Sequence, residues 1–284
     1  MAKFKIGVMV DSFRLPIPQG VVKAREVGAD GLQVYAVGGE ISAQGMDAAA
    51  RSAFRALVES NGLQISALCG DLGGHGFQLE AENEDKISRS KAIVDLAVDL
   101  GTKVVTTHIG VVPADSASPV YQNMLKVCRE LGAYAESKGV TFAIETGPET
   151  AERLAAFLKD VASKGIGVNL DPANLVMVQN DDPVKAVYTL KDYIVHTHAK
   201  DGIQYQPCDP EKVYNAFAEG GVEGLNLGEL FNELPLGEGK VPWNEYLAAL
   251  TDIGYNGYLT IEREIGADPE KDIRTAVDFL KARI

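Results

Sequence analysis

Short β-branched runs alternate with longer amphipathic stretches along the whole chain, and this alternation constrains the fold more than any other feature. Strands are predicted over residues 4–10, 31–36, 63–69, 103–108, 140–145, 166–170, 193–198 and 257–262. The intervening stretches, such as MDAAARSAFRALVES, DKISRSKAIVDLAVDL and PVYQNMLKVCRELGAYAESK, space apolar residues three and four apart, as a helix with one buried face does. Gly28, Gly62, Gly101, Gly139, Gly165 and Gly254 each follow a helical run and precede a strand, where a left-handed glycine can close the helix. Asp182-Pro183, Asp209-Pro210 and Asp268-Pro269 read as helix N-caps with a first-turn proline. Eight strand–helix units at intervals of roughly 35 residues, joined by right-handed crossovers, close into an α/β (β/α)8 TIM barrel. A doubly wound open sheet is the alternative, and no glycine-rich phosphate loop supports it. No Pro/Ser-rich linker divides the chain, so one domain spanning 1–284 is expected.

The formal net charge of −13 makes nucleic acid and anionic membrane surfaces poor partners. Cys69, Cys128 and Cys208 are far apart, form no CxxC pair, and read as small buried thiols of a reduced, cytoplasmic protein. The apolar run at the N-terminus stops at Asp11, too short for a signal-peptide core or a membrane span.

Side chains alternate between the two faces of a strand, so parity shows what each strand sends into the barrel. In VTFAIE, Phe142 and Ile144 face the helices and Glu145 faces inward. In IGVNLD, Val168 and Leu170 face out while Asn169 and Asp171 face in; in GYLTIE, Thr260 and Glu262 face in. His196 and His198 share a face of IVHTH, and His198 joins the others if the seventh strand keeps the same phase. Glu145, Asp171, His198 and Glu262 therefore meet at the carboxyl-terminal mouth, where TIM barrels carry their active sites. Three carboxylates gathered there repel one another and lose hydration, which a divalent cation offsets. Three oxygens and one imidazole suit Mn²⁺, Mg²⁺ or Co²⁺, with Zn²⁺ also compatible. The alternative is that these acids pair with Lys200 or Arg263. His196, two residues deeper, is expected to fill the lumen or support the ligands. His108, ending the fourth strand, borders the same mouth, and His75 sits on a glycine-rich loop after the third.

One region breaks the period: residues 199–256 separate the last two strands and hold two helical pieces, DPEKVYNAFAEG and VPWNEYLAALTDIG. Long barrel insertions build or cover sites, so residues 199–241 are expected to line the mouth, with LPLGEG near the metal.

The segments CGDLGGHGF, IETGPETAERL, GVNLDPANL, HTHAKD, LPLGEG and GYLTIERE together resemble the xylose-isomerase-like TIM-barrel superfamily, in its sugar phosphate isomerase/epimerase branch. The resemblance covers nearly the whole chain. It implies a divalent metal held by Glu145, Asp171, His198 and Glu262, the four that parity selects. In the ketose 3-epimerases of this superfamily two glutamates flank the substrate and exchange protons with it, a role that falls on Glu145 and Glu262. Two positions depart from that pattern. A histidine expected three residues after the sixth-strand aspartate is Asn174, and an arginine expected six residues after the seventh-strand histidine is Gln204.

The expected activity is a metal-dependent sugar isomerase or epimerase working by proton transfer through an enediolate. Its catalytic residues are Glu145 and Glu262, and its substrate contacts His75, His108, Asn174 and Lys200. The expected partner is a small carbohydrate, unphosphorylated because no basic cradle is evident, and family analogy suggests a homo-oligomer. A sugar dehydratase or lyase would use the same site. An apurinic-site endonuclease would need a histidine-rich multi-metal cluster and a basic face; four histidines and the acidic balance oppose it. A non-catalytic sugar-binding protein would not need two opposed carboxylates.

Overall fold

The computed structural model describes residues 4–221 and 226–284. Eight parallel strands close into a barrel: β1 (Lys5–Met9), β2 (Gly31–Tyr35), β3 (Gln64–Cys69), β4 (Val104–Thr107), β5 (Thr141–Glu145), β6 (Ile166–Leu170), β7 (Ile194–Ala199) and β8 (Tyr258–Ile261). Chain neighbours are spatial neighbours throughout, and β8 closes onto β1. Each strand lies within its predicted run or one residue beyond it. Around the barrel run α1 (Ile17–Val27), α2 (Ala48–Ser60), α3 (Asn83–Leu100), α4 (Pro119–Lys138), α5 (Ala151–Val161), α6 (Pro183–Thr189), α7 (Pro210–Ala218), α8 (Trp243–Asp252) and α9 (Pro269–Lys281).

Local chemistry sets the helix ends. Asp182, Asp209 and Asp268 each accept backbone N–H bonds at the start of α6, α7 and α9, and each is followed by proline. Gly28, Gly62, Gly101, Gly139 and Gly254 are left-handed, as expected, but Gly165 is not. Ala162, with φ of 54°, closes α5 instead. Gly165 is required by proximity: a Cβ there would stand 2.0 Å from the carbonyl oxygen of Gly132 in α4.

The outward side chains of the strands, among them Phe142, Ile144, Val168, Leu170, Leu259 and Ile261, are buried against the helices. Each such side chain contributes roughly 1.5–3 kcal/mol. The lumen is polar but satisfied. Gln33 donates to Thr106 Oγ1 at 2.8 Å, and His196 is held between Asn169 Oδ1 at 2.9 Å and Thr260 Oγ1 at 3.0 Å. Buried polar groups survive when their partners are present. Burial and the neighbouring His198 hold the His196 pKa well below its usual value, so it is neutral. A bulge at β6–β7 pairs Val168 with Ile194 but Asn169 with His196, leaving Val195 as the extra residue.

The insertion carries secondary structure that periodicity does not reveal. Asp201–Gln204 pairs antiparallel with Phe231–Leu234. The buried Asp201 carboxylate accepts from the N–H groups of Gly202, Gly237 and Val241 and from Trp243 Nε1. LPLGEG, expected near the metal, lies beside one of the candidate ligands: Leu234, Pro235 and Leu236 share a small pocket with Lys200 and Glu262. Its backbone is gathered by Asp201 and set against Phe279 of α9, and none of it lines the cavity described below. The part of the expectation that falls on 222–225 lies outside the described residues.

Candidate metal centre

Glu145 ends β5, Asp171 and Glu262 directly follow β6 and β8, and His198 is the next-to-last residue of β7. The four side chains are buried, and one ligand atom from each lies within 4.8 Å of every other, an arrangement that can hold a metal ion. His198 Nδ1 is at the centre: 3.2 Å from Glu262 Oε2, 3.4 Å from Asp171 Oδ2 and 3.5 Å from Glu145 Oε1. Neither His198 Nδ1 nor Asp171 Oδ2 has a hydrogen-bond partner. Atoms bound at about 2.1 Å to a shared ion stand about 3.0–3.4 Å apart, so these separations fit ligands better than they fit hydrogen bonds.

The surrounding bonds turn each lone pair toward that point. Asp171 Oδ1 is occupied by the N–H groups of Ala173 and Asn174, which leaves Oδ2 for the centre. Glu145 is steadied by Asn169 Nδ2 at 3.0 Å and by Asn174 Nδ2 at 3.1 Å. Gln33 Oε1 lies 3.1 Å from His198 Nε2. Because the Gln33 amide nitrogen is committed to Thr106, its oxygen accepts from Nε2, although Asn169 Nδ2 lies 3.3 Å from the same nitrogen; in neutral His198 the proton then sits on Nε2 and Nδ1 can ligate. Burial disfavours a charged His198, but Glu262 and Glu145 override it and hold its pKa well above the usual value. Burial likewise opposes charge on Glu145 and Glu262, yet His198, with His108 beside Glu145 and Lys200 beside Glu262, keeps both pKa values low. The centre is a site of strong negative potential.

Lys200 does not fill the centre. Its Nζ bonds Glu262 Oε2 at 3.1 Å and reaches outward to Glu264; no lysine or arginine among the described residues pairs with Glu145 or Asp171. Nor does Arg263, which is taken by Glu233 and Asp272. His108 Nε2 stands 3.5 Å from Glu145 Oε1, and its Nδ1 has no partner. His75 Nε2 faces Glu219 at 3.6 Å, bringing the glycine-rich loop to the end of α7. A cavity of about 320 Å³ opens over the cluster, and Glu145, Glu262, His75, His108, Asn174 and Lys200 all contribute to its wall. Gln204 does not. It donates instead to the carbonyls of Met177 and Val178, in the π-helical turn after Asp171.

Gln33, Asn169 and Tyr214 also shape the site and are missed by the search for charged strand ends. Gln33 leaves a signal, a lone polar residue in the apolar strand GLQVY; Tyr214, in the insertion, leaves none. No helix of the described residues is long and apolar enough to cross a membrane.

A closed parallel barrel with an acidic–imidazole cluster at its carboxyl-terminal mouth defines a broad class of barrel proteins. This chain belongs to the xylose isomerase-like TIM barrel family, whose model matches residues 21–283. It is similar to a D-psicose 3-epimerase of Ruminiclostridium cellulolyticum, 26% identical over 149 residues; the match covers 50% of this chain but only 41% of that protein. A fructoselysine 3-epimerase of Shigella flexneri is 22% identical over 263 residues, covering 88% of this chain and 86% of the relative. Among solved structures, a xylose isomerase domain protein of Planctomyces limnophilus superposes with a TM-score of 0.79 at 27% identity, over 98% of this chain and 96% of that one.

Proposed function

We propose that this protein is a divalent-metal-dependent isomerase or epimerase of a free ketose or keto-sugar. The reading is carried by one observation: Glu145 and Glu262, from strands separated by two others, both approach His198 and both line one cavity. The similarity to two sugar 3-epimerases supports it.

Glu145, Asp171, His198 and Glu262 would hold the ion, and the orphaned Asp171 Oδ2 and His198 Nδ1 fit that role. A divalent ion there supplies Lewis-acid stabilisation of negative charge on a substrate oxygen. The chain's own groups do the rest. One glutamate removes the proton from the carbon beside the carbonyl, giving an enediolate, and the other returns a proton from the opposite face. Asn174 and Asn169 fix the Glu145 carboxylate, and Lys200 fixes that of Glu262. His108 borders Glu145 on the cavity side, placed to orient a hydroxyl. Lys200 is the one lysine or arginine among the described lining residues, and its charge is already matched by Glu262 and Glu264. No cation is left for a phosphate, which favours an unphosphorylated substrate.

The test is a panel of ketoses and keto-sugars incubated in deuterated water with added Mn²⁺. Deuterium at the carbon beside the carbonyl, with a new epimer or isomer, supports the reading. Loss of water from the sugar would point to a dehydratase, and no change with any sugar would oppose the reading.

A further inference from the structure

Among the polar groups that the insertion contributes to the cavity and that proton transfer does not use is Tyr214. It projects from α7 into the cavity wall. Its ring lies 5.6 Å from that of His108 and edge-on to Phe217 at 5.8 Å. The hydroxyl reaches the turn after β5, where a Cβ added at Gly147 would stand 2.4 Å from it and 2.7 Å from Asn174 Cβ. Gly147 also has φ of 141°, a conformation that favours glycine. The backbone there therefore leaves room for the phenol beside Asn174, two residues past Glu145.

A tyrosine hydroxyl at the edge of a partly apolar pocket is suited to bond a polar group of a ligand. Tyr214 is half-buried, and its hydroxyl, which bonds no described residue, is open to the cavity it borders. Burial, reinforced by Glu145 and Glu149, pushes its pKa well up, so the group remains a neutral phenol. A neutral phenol both donates and accepts one bond, as a sugar hydroxyl does. Phe217, Phe231 and Met177 line the same cavity and offer an apolar surface for the C–H face of a sugar.

We infer that Tyr214 is a specificity-determining residue, its hydroxyl bonding one particular hydroxyl of the substrate. The inference rests on the sugar isomerase reading above.

The test compares wild type with Tyr214→Phe, which keeps the ring and its packing. The probes are D-fructose, D-tagatose, D-psicose and the monodeoxy analogues of whichever binds best, with Mn²⁺ present. Turnover and calorimetric binding are both read. Wild type should prefer the parent sugar over one analogue by about 10–100-fold, and Tyr214→Phe should lose that preference while treating the analogue as wild type does. An unchanged preference, or a fall shared equally by every analogue, overturns the inference. Binding without turnover would remove the isomerase reading and leave the Tyr214 comparison intact. A protein that neither binds nor converts any of these sugars contradicts both.

Discussion

His198 Nδ1 and Asp171 Oδ2 stand 3.4 Å apart in the buried mouth of the barrel, and neither has a hydrogen-bond partner. Two such orphaned atoms cost about 1–3 kcal/mol each, a cost a fold retains where the atoms have another use. If that use is metal binding, Mn²⁺ at 100 times its dissociation constant stabilises the protein by about 2.7 kcal/mol and raises Tm by about 4–5 °C. Asp171→Asn keeps the Oδ1 cap on the following helical turn but removes a ligand charge. It should be no less stable than wild type without metal and gain no stability with it. A metal-dependent rise equal to that of wild type would contradict the ligand assignment.

Gln33 is placed to fix the His198 tautomer, accepting from Nε2 at 3.1 Å while its own amide is held by Thr106. Gln33→Ala should weaken Mn²⁺ binding by about 10–100-fold, as loss of a ligand's hydrogen-bonding support does. Calorimetric titration of metal into the folded variant checks this; unchanged affinity would show that His198 needs no such support.

Glu149 provides a pH prediction away from the cluster. Burial raises its carboxyl to about 7 from the usual 4.5, opposed by a bond from the Val112 N–H. The folded state thus holds the proton more tightly than the unfolded chain does. The associated stability is complete below pH 4.5 and lost as pH rises through about 7. Glu149→Gln lacks this dependence. It should match wild type near pH 4.5 and exceed it by about 3 kcal/mol at pH 8. Denaturant unfolding at both values measures the difference, and a constant offset would contradict it.

Asp201 holds the insertion through its four donors, and one of them, Trp243, is the chain's single tryptophan. Asp201→Ala leaves those donors unpaired and should destabilise the protein by at least about 3 kcal/mol, with an altered indole emission. An unchanged midpoint would mean that the insertion is anchored elsewhere.

The barrel was legible because the same local rule operates eight times, and parity then singled out Glu145, Asp171 and Glu262 as inward-facing acids without reference to tertiary contacts. What escaped depends on distance in the chain. Val195 bulges because β6 and β7 pair out of simple register, which alternation alone does not encode. Gly165 looks like a helix cap but is needed for the approach of α4. Lys200 is as easily matched with its neighbour Asp201 on paper, yet it spans to Glu262 and Glu264, while Asp201 turns to the insertion. The partners of Gln33, and the contact of Tyr214 with Gly147, join residues far apart in the chain.

Glu145 and Glu262 are proposed to exchange protons with the substrate from opposite faces. The direct measurement is solvent deuterium exchange by wild type, Glu145→Gln and Glu262→Gln, with metal content determined in the same samples. Wild type should invert the substrate carbon beside the carbonyl and place deuterium there. Metal-loaded variants should lose at least the roughly 10²–10⁴-fold associated with a missing general acid or base, and the one that keeps the abstracting base should still exchange slowly without inverting. Full inversion by both metal-loaded variants would contradict the claim and move the search for the base to His108.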